Sequence, residues 1–144
     1  RFCINSIMLL STTEIRVRYA ETDMMGVVYH ANYFSWFEAA RIQLLDDLGL
    51  PYRELDKCGY LLPVLECEAK FILPARFDDR LSVQVRIEEL PIARIEARYE
   101  VKREEDTLAT GRTTHAFMSP EGSIIRPPEE FAAKALEAFA KTEG

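Results

Sequence analysis

The chain has 144 residues, 48% of them hydrophobic and 29% charged, which suits one globular domain with a core of its own. A net charge of −6 excludes a diffuse basic field, so nucleic acid and anionic lipid are not expected partners. Cys3, Cys58 and Cys67 are odd in number and form no CxxC pair, which argues against a disulfide framework or a metal site and for reduced thiols in a cytoplasmic protein.

Arg1 to Leu10 is apolar but short, and Asn5 and Ser6 interrupt it. It lacks the roughly 18 apolar residues of a membrane span, and it has no small-residue cleavage site. Met8 reads as a start. Residues 1–11 are therefore set apart as an N-terminal extension without membrane insertion, and 12–144 as a single domain. Thr12 to Ala20 alternates, with Ile15, Val17 and Tyr19 on one side and Glu14, Arg16 and Arg18 on the other, which predicts a half-buried strand. Glu21 to Tyr29 is a loop that Gly26 allows to turn. From His30 the period becomes helical, with Tyr33, Phe34, Phe37, Ala40, Leu44, Leu45 and Leu48 as the apolar stripe. Gly49 and Pro51 stop this helix, and Pro51 to Cys58 predicts a short second one. The period then drops to two. Leu65, Cys67, Ala69, Phe71 and Leu73 form one apolar face, with Cys67 expected in the core. Leu81 to Ile87, Ala93 to Val101 and Leu108 to Met118 supply three more strands, read as an antiparallel meander. Pro127 to Lys141 predicts a terminal helix. The fold class is α+β, an antiparallel sheet wrapped around one long helix.

The unusual residues gather between the first strand and that helix. Asp23 lies in a glycine-hinged loop just before a helix N-terminus. A carboxylate there can act as nucleophile or general base while terminal N–H groups bind a developing oxyanion. A loop aspartate that merely bonds turn amides is the plain alternative. His30 offers a backbone N–H at the helix start. A second metal ligand at useful spacing is missing, so neither a metal nor a cofactor is expected. Asn32 suits orientation of the loop through its amide. Tyr29 and Tyr33 suit packing. Glu38 and Arg41 have the spacing of a surface ion pair. Glu66 and Glu68 share a strand face turned to water or to a partner. Arg76, Arg80, Arg86, Arg94 and Arg98 are candidate phosphate contacts. No phosphate-binding loop, dinucleotide fingerprint or Gly-x-Ser-x-Gly elbow occurs.

The run Tyr19-Ala-Glu-Thr-Asp-Met-Met-Gly-Val-Val-Tyr-His-Ala-Asn-Tyr-Phe-Ser-Trp-Phe-Glu-Ala-Ala-Arg41 resembles the signature of hotdog-fold acyl-CoA thioesterases of the 4-hydroxybenzoyl-CoA thioesterase family. The nearest group is the short thioesterases associated with the bacterial Tol–Pal system. Pro63-Val-Leu-Glu, Phe71 to Asp79 and Gly111 to Phe117 agree with it. The resemblance implies an acyl-CoA substrate, Asp23 as the catalytic carboxylate and the His30 backbone N–H as the group that polarises the thioester carbonyl. Gly26, Val27, Tyr29, Asn32 and Tyr33 would bind substrate around them. It further implies a homo-oligomer, sheets joined edge to edge in a dimer and dimers paired into a tetramer, with the active site at the dimer interface. Met24-Met25 departs from the small or proline residue usual after the aspartate. Two other readings compete: a non-catalytic module that binds CoA esters or a protein partner, and a dehydratase of hydroxyacyl thioesters, whose His base and helical acid this loop does not supply.

Overall fold

The computed structural model describes residues 9–140; the segment through Met8, with Cys3, and the predicted helix end at Lys141 lie outside the described residues. A five-stranded antiparallel sheet is formed by β1 (Leu9–Arg16), β2 (Val64–Phe71), β3 (Arg80–Ile87), β4 (Ile95–Arg103) and β5 (Asp106–His115). Helix α1 (Asn32–Asp47) lies over β1 and β3, α2 (Tyr52–Lys57) follows it, and α3 (Glu129–Ala140) closes the described chain.

Strand order is β1-β3-β4-β5-β2. Thus β3, β4 and β5 do form a meander, but β2 does not join it in sequence order. It crosses to the far side and pairs with β5, where Phe71 faces Ala109 and Cys67 faces Thr113. The apolar alternation of β2 reports one inward face, yet α1 lies mainly over β1 and β3 and meets that face only at its end, where Tyr33 packs on Phe71. Cys67, expected in the core, is consequently exposed, and Phe71 is half exposed. Period-two patterning tells which side chains share a face, not whether anything lies on that face.

The first strand also differs from its expected bounds. It begins at Leu9, which is buried and pairs with Ile87, so Leu9 to Ser11 belong to the sheet and not to an extension. It ends at Arg16, because Tyr19 to Glu21 turn into a 3-10 helix; Tyr19 swings out to solvent and rests edge-on against Phe77. Helix α1 starts at Asn32, two residues after His30, because His30 and Ala31 form the entering turn. Its buried stripe is Tyr33, Trp36, Phe37, Ala40, Leu44 and Leu45. Trp36 joins the expected set, whereas Phe34 and Leu48 sit at its edge. Strand β4 begins at Ile95 and not Ala93, and β5 ends at His115 and not Met118.

Phe37 is the centre of the helix–sheet packing. It is wholly buried and stacks on Tyr99 with ring centroids 4.2 Å apart. Its far edge fits a notch in β5: a Cβ built on Gly111 would overlap the Phe37 ring. Arg41 does not make the expected surface pair with Glu38. Its guanidinium turns inward and donates to the Tyr99 hydroxyl at 3.2 Å. From there a polar chain runs through the core. The Tyr99 hydroxyl is 2.6 Å from that of Thr113, which is 2.8 Å from Nε2 of the fully buried His115, whose Nδ1 is 3.0 Å from the Pro63 carbonyl. A carbonyl only accepts and a guanidinium only donates, so both ends of the chain are fixed. Each hydroxyl then donates towards His115, and Nδ1–H donates to Pro63. Burial, aided by the Arg41 charge, lowers the His115 pKa from 6.5 to about 4.

Candidate functional site

The loop between β1 and α1 is a small closed hairpin. Thr22 bridges Val28, the Asp23 amide donates to the Val27 carbonyl at 2.8 Å, and the Gly26 amide donates to the Asp23 carbonyl at 2.9 Å. Gly26 has φ +79°, a left-handed conformation that a side chain would strain. The Met25 amide donates to the Asp23 carboxylate at 2.9 Å, which fixes one carboxylate oxygen within the turn. The hairpin is held from outside by the Val28 amide on the Ala75 carbonyl at 2.8 Å. The Ala75 segment is in turn fastened by Arg103, which donates to the Pro74 carbonyl at 3.1 Å and to Asp79 at 2.8 Å.

Asp23 is half-buried and stands between two grooves, being the one residue that lines both. The inner groove, of about 380 Å³, brings Asp23 together with Val27, His30, Tyr33, Phe71, Ile72 and Leu73. The outer one, of about 570 Å³, is walled by Tyr19, Thr22, Met24 and Gly26. Among the described residues the amides of His30 and Ala31, at the opening of α1, donate to no protein acceptor. The site therefore offers a carboxylate, a mostly apolar groove and, at His30, an unengaged backbone donor, with a second at Ala31 beside it.

The other expected site residues divide by what they touch. The His30 ring is exposed and packs between Tyr29, at 4.5 Å, and Phe71, at 6.2 Å. Tyr33 is buried against Phe71 and Trp36, and burial raises its pKa. Tyr29 is half exposed, with its amide on the Glu21 carbonyl at 2.9 Å. The Asn32 side chain also donates to that carbonyl, at 2.8 Å, so its amide ties the loop to the helix. Phe71, Ile72 and Leu73, at the end of β2, are groove residues that sequence reasoning did not assign to the site. No local signal marks them, because the crossing of β2 brings them there. Glu21 carries only half of a capping signal: its carboxylate accepts the Arg18 backbone amide at 2.8 Å, but Arg18 has no side-chain acceptor to complete the box. Among the described residues no three His, Cys, Asp or Glu side chains gather as a metal-holding group. None of the helices there is long and apolar enough to cross a membrane.

On the outer sheet face, Glu66 and Glu68 take part in an ion-pair lattice. Arg112 reaches Glu68 at 3.1 Å and Glu96 at 3.4 Å, Arg98 reaches Glu96 at 3.1 Å, and Arg94 reaches Glu66 at 3.9 Å. Of the candidate phosphate contacts, Arg86, Arg94 and Arg98 are engaged in this lattice, with Arg86 on Glu88 at 3.2 Å. Arg80 pairs with Asp78 at 3.1 Å.

Comparison with known proteins identifies the family and the fold. Residues 17–135 match the model of the thioesterase-like superfamily. The putative acyl-CoA thioesterase YneP of Bacillus subtilis is 44% identical over 82 residues, 57% of this chain and 59% of that relative's length. A putative esterase of Aquifex aeolicus is 34% identical over 115 residues, covering 80% of this chain and 89% of its own. Among solved structures, the DHNA-CoA thioesterase from Staphylococcus aureus superposes with a TM-score of 0.83 at 31% identity, covering 93% of this chain and 91% of that one. A match over most of the length and an antiparallel sheet packed on one long helix converge: this chain belongs to the thioesterase-like superfamily and has its hotdog fold.

Proposed function

We propose that the protein hydrolyses acyl-CoA thioesters to free acid and CoA. The observation that carries this reading is Asp23 lining one groove with His30, whose backbone amide donates to no protein acceptor and is followed by the equally open amide of Ala31 at the start of α1. A thioester carbonyl laid against the amides of His30 and Ala31 would have its oxygen polarised as it becomes an oxyanion. In comparable acyl-transfer sites one such donor is worth roughly 3–4 kcal/mol of barrier. The Asp23 carboxylate then either attacks the carbonyl carbon, forming an anhydride that water opens, or takes a proton from an attacking water. In both routes the C–S bond breaks, the thiolate leaves and is protonated, and water supplies the oxygen of the acid. No cofactor enters the balance.

Val27, Tyr33, Phe71, Ile72 and Leu73 give the acyl group an apolar wall. Gly26 shapes the loop, while Tyr29 and Asn32 hold it in place. The proposal extends to a homo-oligomer in the cytoplasm, formed by pairing of β2 edges. In support, β2 is a terminal strand whose inward Cys67 is exposed and whose Phe71 is half exposed, and Cys58 and Cys67 are free thiols. Kinship with the Tol–Pal-associated group rests on the Asp23 to Tyr33 run.

A panel of aliphatic and aryl CoA thioesters, followed by free-thiol release, tests the reading. Wild type is expected to turn over at least one of them. Asp23→Asn is expected to lose at least about a hundredfold in kcat while keeping its fold and ester binding. Turnover of Asp23→Asn within a few-fold of wild type would remove Asp23 from the chemistry.

A further inference from the structure

Glu21 is the one buried acid among the described residues, and nothing in the reaction uses it. Its carboxylate accepts the Arg18 amide at 2.8 Å on one oxygen and the Trp36 indole N–H at 2.9 Å on the other. The Arg18 guanidinium stands 3.6 Å away. Its own carbonyl accepts the Tyr29 amide and the Asn32 side chain. One residue thus joins the entry of the Asp23 loop, its exit, the first residue of α1 and the second turn of that helix.

Asp23 rides on a loop, whereas the amides of His30 and Ala31 belong to the start of a helix. Separate elements hold catalytic geometry only if something rigid links them, and misplacement of about 1 Å is costly to rate. We propose that Glu21 is the positioning residue that sets the Asp23 carboxylate against the open amides of His30 and Ala31. Asp23 follows Glu21 by two residues, and His30 follows the anchored Tyr29 directly. Water is shut out from the carboxylate, and the Trp36 indole N–H is buried with it, so each satisfies the other. The claim rests on the thioesterase reading, but the linkage itself can be tested without turnover.

Glu21→Gln keeps the shape and turns one acceptor into a donor, which then faces an N–H. Trp36→Phe removes the indole donor and keeps an aromatic ring. Kinetics on a cleaved thioester are expected to show kcat lowered by about tenfold to a hundredfold in Glu21→Gln, with KM within about twofold of wild type. Trp36→Phe is expected to fall less, and the double variant to recover part of the Glu21→Gln loss because the opposing donor is gone. Phe131→Leu, a core change on the buried face of α3, serves as the comparator of matched Tm and should keep kcat. A Glu21→Gln kcat no lower than the comparator's, or strict additivity in the double variant, overturns the proposal. If wild type cleaves no thioester, the function fails separately, and amide exchange decides the linkage. Glu21→Gln should then speed exchange of the bonded amides between Asp23 and Tyr29 while β3 and β4 stay protected. Unchanged exchange in that segment overturns it.

Discussion

Buried His115 makes a specific demand on stability below neutral pH. Its Nδ1–H donates to Pro63, and its bare Nε2 receives the Thr113 hydroxyl proton, in a chain whose other end is the Arg41 guanidinium. Protonating Nε2 would set two donors against each other and bring a second charge near Arg41, with no carboxylate in the chain to offset it. The folded pKa of about 4 lies below the ordinary 6.5, so between those values the unfolded chain takes up a proton that the folded chain refuses. The contribution is therefore fully present above about pH 6.5 and is lost as pH falls towards 4. The whole shift corresponds to about 3 kcal/mol, of which about 2 kcal/mol is lost between pH 7 and pH 5. Asp47, whose pKa is lowered by hydrogen bonds from Ser11 and Gln43, sheds stability only at lower pH, below the ordinary carboxylate range. Urea denaturation at pH 7, 6 and 5 isolates the histidine when wild type is set beside His115→Gln, whose amide can give to Pro63 and accept from Thr113. The wild-type free energy should fall by about 2 kcal/mol more than the variant's across that range. Parallel pH profiles for the two would refute the reasoning.

Two further changes probe the packing and the open edge. Gly111→Ala should cost about 1–3 kcal/mol in urea denaturation because its methyl would press on the buried Phe37 ring; a loss under about 0.5 kcal/mol would mean the ring has room to yield. Cys67→Asp puts a carboxylate on the uncovered face of β2 and should shift sedimentation towards the monomer, whereas an unchanged distribution would place the oligomer contact elsewhere.

The architecture was legible wherever local patterning and physical environment coincide. The α1 stripe around Phe37, Ala40, Leu44 and Leu45 reads directly from helical spacing, and β3 reads from strict alternation. The Asp23 loop was legible because Gly26 and the start of a helix punctuate it. Other features depend on long-range placement. Cys67 looks like a core residue until the strand order puts β2 at the end of the sheet away from β1 and β3, over which α1 lies. Arg41 looks like half of a surface pair until Tyr99, fifty-eight residues on, presents a hydroxyl to it. Phe71 to Leu73 enter the site only because β2 crosses to lie beside β5. Glu21 follows an arginine and not a capping Ser or Thr, so no local signal marks it, and its Trp36 partner is a tertiary contact that spacing alone does not select.

The bite taken out of β5 at Gly111 ties two distant codons together. While an aromatic ring occupies position 37, position 111 has no freedom to gain even one carbon; should a lineage trade that ring for something slimmer, the constraint lifts at once. Change there is expected to come in matched pairs, the strand filling in as the helix gives way.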